Sequence, residues 1–226
     1  MVSRNPGTSA PAPLARPTSQ ARSRRTVDRL LNAAETLLEE GGLDAAIVPA
    51  IARRARMSVG IVYRRFPDKD ALLRGVYERL FERNRESNRL VLDPARWQGV
   101  PLAEMVQLLV AGMVQGYETR KRLLRALLLY GETHADSAFR RRAHELSGEA
   151  FAGIGELLLA HRGQIHHPDP PAAIALVLMV LALAIRGIVL PERTQRLAPI
   201  ASGERLCPEL ARLVLRYLGV AGPNDD

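Results

Sequence analysis

Cysteine is nearly absent. Cys207 is the only one among 226 residues. No intrachain disulfide can form, and a lone thiol beside Leu206 and Leu210 fits a packed position in a reducing cytosol. Aromatic residues make up only 4 % of the chain, which argues against an aromatic ligand cage. Lysine is scarce as well: only Lys69 and Lys121 appear among 32 cations, a bias that a GC-rich genome alone can produce. No apolar run reaches the roughly 20 residues that a bilayer span requires. The longest, residues 172–185, closes at Arg186 and reads as a buried helix. The N-terminus has no apolar stretch of the signal-peptide kind, so a cytoplasmic protein without membrane association is expected. No stretch alternates with strand period. There is no glycine-rich phosphate loop and no G-x-S-x-G, so no enzyme is expected. His161, His166, His167 and Asp169 cluster near one loop but lack an i, i+4 pair or a cysteine partner. A polar loop is the better reading, and neither a metal nor a cofactor is expected.

Positive charge is abundant. The formal net charge is +8 and the sequence pI is about 10.5. Residues 1–75 hold thirteen Lys+Arg against seven Asp+Glu, so most of the excess lies in the first third. An anionic partner, nucleic acid or a membrane surface, would be met there.

The hydrophobic pattern is helical throughout. Residues 1–23 are rich in Pro, Ser, Ala and Arg without period, and read as a disordered basic arm. Val27, Leu30, Leu31, Ala34, Leu37 and Leu38 then repeat with helical spacing, with Thr26 as a plausible N-cap and Gly41-Gly42 as the stop. A short helix follows, with Pro49 tolerated only in its first turn. Its inner face is Ile51, Ala52 and Ala55. Ser58 opens a third helix that Pro67 must end, and Asp68 can cap a fourth. Residues 24–75 thus read as helix, helix, tight turn, helix. Longer helices are expected near 69–90, 101–119, 121–134, 137–162, 170–189 and 207–219. The fold class is all-α: a three-helix N-terminal domain over 24–75 and a larger helical domain over 76–226.

Two short helices joined by a tight turn, with another packed behind, form the helix-turn-helix design, whose second helix enters the major groove of duplex DNA. Val62 and Phe66 would hold that helix to the core. Val59, Gly60, Ile61, Tyr63, Arg64 and Arg65 would face DNA. Val59 and Ile61 suit a thymine methyl; Arg64 or Arg65 suits guanine or phosphate. Arg53, Arg56 and Lys69 are candidate phosphate contacts. On the arm, Arg16, Arg22, Arg24 and Arg25 either belong to a solvated tail or reach the minor groove, Arg24 and Arg25 being the better placed.

The stretch RRTVDRLLNAAETLLEEGGLDAAIVPAIARRARMSVGIVYRRFPDKDALL resembles the N-terminal domain of TetR-family transcriptional regulators. The match rests on Gly42, Val48, Ile51, Ala52, Ala55, Ser58, Gly60, Tyr63, Phe66, Lys69 and Leu72, in register over about fifty residues. Five positions depart from the family pattern. Ala46 and Ile47 replace threonines that cap the second helix and touch phosphate. Arg56 replaces the turn glycine, Ile61 a threonine, and Arg65 a histidine. The resemblance implies a sequence-specific regulator, most simply a repressor that leaves a palindromic operator when a small-molecule effector binds. It also implies a homodimer through segments near 172–190 and 206–218, and an effector pocket in the second domain. Trp97, Met105, Met113, Tyr117, Tyr130, Glu132, His134, Phe151 and Met179 are candidate pocket residues. The alternatives are an activator controlled by a partner protein, and a helical small-molecule-binding protein with weak DNA binding.

Overall fold

The computed structural model describes residues 19–133, 137–190 and 203–220. Nine α-helices and two 3-10 turns make up the secondary structure among these residues. Helix α1 spans Ser19–Ala45, α2 Val48–Arg54, α3 Val59–Arg65 and α4 Lys69–Val91. Then come α5 (Leu102–Thr119), α6 (Lys121–Thr133), α7 (Ser137–Leu159), α8 (Pro170–Val189) and α9 (Gly203–Leu218).

Helix α1 begins earlier than its apolar period. Residues 19–23 were expected within the patternless arm but are helical, because Gln, Ala and Arg are good helix formers. Thr26 is therefore not an N-cap; its hydroxyl donates to the Arg22 carbonyl one turn back, at 2.9 Å. The rest of the arm, Arg16 included, lies outside the described residues. At the other end Gly41 and Gly42 leave helical geometry, with Gly42 at φ +67°. This is the stop the glycine pair predicts.

Local signals account for the next boundaries. Pro49 sits in the first turn of α2, where its missing N–H costs no hydrogen bond. Asp68 caps α4 by accepting from the Ala71 N–H at 2.6 Å. Helix α9 starts before the expected residue 207, at Gly203, and carries Pro208 inside it, forfeiting one intrahelical bond.

The buried apolar residues form two clusters. One joins α1 to α4 and includes Leu30, Leu38, Ile51, Val62, Leu72 and Val76. It is not confined to residues 24–75: Leu123, Ala126, Leu127 and Tyr130 of α6 belong to it. Helix α6 lies along α1, and Arg122 donates to the Glu40 carbonyl at 3.3 Å near the end of the regular part of α1. The other cluster fills the space among α5, α7, α8 and α9. Trp97 belongs to it, and its indole N–H donates to the Val91 carbonyl at 2.6 Å, fastening the end of α4.

Glycines allow two close helix contacts. A Cβ at Gly75 on α4 would stand 3.0 Å from Leu31 of α1 and 3.2 Å from the Phe66 ring. One at Gly153 on α7 would stand 2.5 Å from Leu92. Within the first cluster Ile51 is fully buried. Truncation by Ile51→Ala is expected to cost about 2–5 kcal/mol, read as a lowered denaturant midpoint in equilibrium unfolding.

Candidate nucleic-acid interface

Helices α2 and α3 are seven residues each, too short to be stable alone, so tertiary contacts must fix them. The turn between them is closed by two main-chain bonds. Arg56 N–H donates to Arg53 O at 3.0 Å, and Met57 N–H to Ala52 O at 2.9 Å. This is the Schellman arrangement, which places the residue after the C-cap in left-handed backbone. That residue is Arg56, at φ 53°, the one described non-glycine residue with positive φ. An L-residue there is strained by about 1–2 kcal/mol. Arg29 of α1 reinforces the turn: its guanidinium donates to the Ala55 carbonyl, the C-cap of α2, at 2.5 Å.

Val62 is buried and Phe66 half-buried against the head core, and together they anchor α3. Gly60 and Arg64 lie on the side away from Val62, flanked by Ile61 and Tyr63. Ser58, Val59, Gly60, Tyr63, Arg64 and Arg65 are exposed; Ile61 is half-buried. Ser58 occupies the N-cap position without a side-chain cap bond, as does Ile47 on α2. Between Asp44 and Asp68 there is no acidic residue, while Arg53, Arg54, Arg56, Arg64 and Arg65 fall in this interval. Arg54 is paired with Glu40; Arg53 and Arg56 are exposed. The surface around α3 thus offers positive charge and apolar groups with no acidic residue of its own.

Two further groups of cations stand differently. Lys69, expected at a phosphate, donates to the Leu43 carbonyl at 3.2 Å and so ties α4 to the α1–α2 connection. Arg22, Arg24 and Arg25 project from the first turns of α1 and are exposed. Because Arg24 and Arg25 are helical, they are carried on a rod rather than an extended arm.

The candidate pocket residues converge only in part: Trp97, Met105, Met113, Tyr117 and Phe151 share the second cluster, and the others do not. Met105 is buried in the second cluster, with Met113, Tyr117 and Phe151 packed against it. Tyr130 is in the head cluster, and Met179 lies exposed on α8. His134 lies outside the described residues, and the Glu132 side chain is not described. Two residues the sequence reading missed lie near Tyr117. Burial pushes the Tyr77 phenol of α4 up to about 12, with the Arg186 charge opposing and Tyr117 adding a smaller rise. Burial also raises the Tyr117 phenol, again against Arg186. Both phenols therefore stay neutral, Tyr77 on α4 and Tyr117 on α5, within electrostatic reach of Arg186 on α8. The histidines noted above turn their Nδ1 atoms to main chain: His161 to Leu157 O, His166 to Gly219 O and His167 to Asp169.

Helix α4 is also tied by charge. Arg79 donates to Glu35 of α1 at 2.8 Å through Nε, and Arg83 approaches the other Glu35 oxygen at 2.9 Å. The Nη2 atoms of both arginines are buried near Glu35, but their alignment falls short of a hydrogen bond. On the other side Arg85 makes a two-pronged contact with Glu149 of α7, at 3.0 and 3.1 Å. Neither set was foreseen, because i, i+4 reasoning along one helix cannot register pairs between helices.

These features define a helix-turn-helix DNA-binding regulator. Residues 30–76 match the family of bacterial regulatory proteins described as tetR family, which marks this N-terminal segment as a TetR-type DNA-binding domain. No curated protein matches the chain by sequence. Solved structures share the fold at low identity. A TetR-family transcriptional regulator from Mesorhizobium loti is 20 % identical, with TM-score 0.65, over 88 % of this chain and 97 % of that one. FadR from Bacillus subtilis, in complex with stearoyl-CoA, is 14 % identical, with TM-score 0.60, over 84 % and 98 %. NalD from Pseudomonas aeruginosa, the secondary repressor of the MexAB-OprM multidrug efflux pump, is 23 % identical, with TM-score 0.60, over 86 % and 98 %.

Arg56 separates stability from binding. Arg56→Gly removes the left-handed strain and is expected to stabilise the protein by up to about 1 kcal/mol. The same change is expected to weaken DNA binding for all sequences and to lower the salt slope of log K by about 1. Thermal unfolding and binding titrations at several salt concentrations check the two halves.

Proposed function

We propose that the chain acts as a homodimeric repressor that binds a palindromic operator and leaves it when a small-molecule effector binds the second domain. The observation that carries the reading is a pair of exposed surfaces of opposite kind. One is the cationic and apolar surface around α3. The other is an apolar face on α8 and α9: Leu176, Met179, Val180 and Leu183, with Leu213 and Tyr217 beside them. The face alternates along α8 with the buried Ala173, Ile174, Val177, Leu178, Leu181 and Ile185. The sequence suggests a helix buried on every side; within one subunit, α8 is covered on one side only. A second copy supplies the missing cover, in the segments expected for dimerisation. By length and composition alone α8 could also cross a membrane. Its buried half, packed on α5, α7 and α9, favours the soluble dimer.

Two-fold symmetry then gives two copies of α3, which read half-sites about 34 Å apart. Effector control is supported by the stearoyl-CoA complex of FadR, and repression by the role of NalD. Tyr77 and Tyr117 near Arg186, with Met113 and Phe151 at the edge of the second cluster, are the best-placed effector contacts. Helix α4 carries both Tyr77 and the arginines that grip Glu35. An effector therefore biases the heads through α4, with a leverage set by its differential affinity, typically about 1–3 kcal/mol.

Titration of the full chain against its own promoter region, with scrambled competitor at fixed salt, tests the reading. Competitor-resistant binding to a palindrome is expected; equal loss to scrambled DNA overturns it. Arg64→Ala is expected to relax preference at one base pair, about 1–3 kcal/mol of discrimination. A uniform loss of affinity assigns Arg64 to phosphate instead. Leu183→Arg is expected to yield monomers in sedimentation and to abolish palindrome binding while far-UV dichroism is retained.

A further inference from the structure

Large apolar side chains are costly to leave in water, and the head leaves few there. Among its described residues through Leu80, only Ile47, Val59 and Tyr63 are exposed large hydrophobics, at 48 %, 39 % and 52 %. All three lie in or beside the helix-turn-helix. Val59 opens α3, whose N-terminal residues are the ones that reach base edges in this design. Ile61, half-buried, follows it, and Gly60 stands between them. Nothing inside the protein requires that glycine. A Cβ there would meet only the Ser58 hydroxyl, at 3.9 Å, and the backbone is ordinary helix. The missing side chain is of use only to something that approaches from outside. The surrounding cations, Arg53, Arg56, Arg64 and Arg65, fit a phosphate frame on either side of that approach.

Building on the DNA-binding reading above, we propose that Val59 and Ile61 each read the 5-methyl group of a pyrimidine in the major groove. The methyl group is the one apolar mark on a major-groove base edge, and thymine carries it in unmodified DNA. Neither Val59 nor Ile61 can donate or accept a hydrogen bond, so each rewards that methyl and is indifferent to the O4 or N4 beside it. Gly60 lets the helix close on the base edge until the methyl is covered. The same surface accepts 5-methylcytosine, which presents an equivalent methyl. Operator affinity therefore responds to cytosine methylation at a position where unmodified cytosine is rejected.

The test begins with the full chain and a randomised duplex library, from which an operator is selected. Each thymine of one half-site is then replaced singly by deoxyuridine, which deletes only the methyl. At one or two positions affinity is expected to fall about fourfold, the equivalent of one buried methyl group. Val59→Ala or Ile61→Ala is expected to erase that difference; Val59 is exposed and its truncation leaves the fold intact. At the same positions the thymine–adenine pair is replaced by cytosine–guanine, with and without the 5-methyl group. Recovery of affinity on methylation identifies the methyl as the group read, whichever pyrimidine carries it. Equal rejection of both cytosines shows that the 4-position is read and overturns the assignment. Unchanged affinity across all deoxyuridine substitutions, with the selected sequence still preferred, also overturns it, while leaving the regulator reading intact. A selection that enriches no sequence removes that reading and this inference together.

Discussion

A recognition helix has to give nearly all of its surface away. Helix α3 keeps one fully buried side chain, Val62, with half-buried Phe66 just past its end. Seven residues with so little burial cannot hold a helix against chain entropy. The rest of the head exists to supply what α3 lacks. Arg29 and two main-chain bonds fix the turn before it. Pro67 and the Asp68 cap fix the turn after it. Gly75 admits the Phe66 ring against α4. The strain at Arg56 is tolerated because this frame leaves the turn no other course.

The same frame is tied into the second domain. Helix α6 contributes Leu123, Ala126, Leu127 and Tyr130 to the head core, and α4 runs from the Asp68 cap to the Trp97 anchor. Glu35 faces two arginines of α4 on the head side, while Glu149 holds Arg85 on the other. A displacement of α4 therefore cannot be absorbed locally; it changes contacts at both ends. Rigid elements with discrete packing partners carry such a displacement better than a soft linker does.

Much of this was legible in the sequence, for identifiable reasons. The helices from α4 to α8 fell within a few residues of their expected spans, because proline, glycine and aspartate mark most of their ends. Val62 and Phe66 were found by spacing, and Arg56 by the resemblance to the TetR pattern, which has a glycine at that turn. What was missed depends on contacts between distant segments. The helical start at Ser19 was hidden by the proline- and serine-rich composition before it. Arg29, Glu35, Arg79 and Arg83 look like ordinary charges on solvated faces until α1 and α4 are laid side by side. The pocket candidates are split between the two cores because residue type alone cannot tell which of them a methionine or tyrosine enters. Tyr130 and Tyr117 illustrate this: thirteen positions apart, they pack into different clusters.

The membership of α6 in the head core changes what counts as a unit of folding. A fragment cut after α4 would keep the whole helix-turn-helix motif yet expose the flank of α1 on which Leu123 and Leu127 rest. Such a fragment carries the reading surface without the core that steadies it. The head is thus not a detachable module: it is completed by a segment that enters the chain some thirty residues after α4 has ended. Evolution can vary the exposed side chains of α3 without disturbing the head core, which holds only Val62 from that helix. It cannot exchange the head as a block without also carrying over one face of α6.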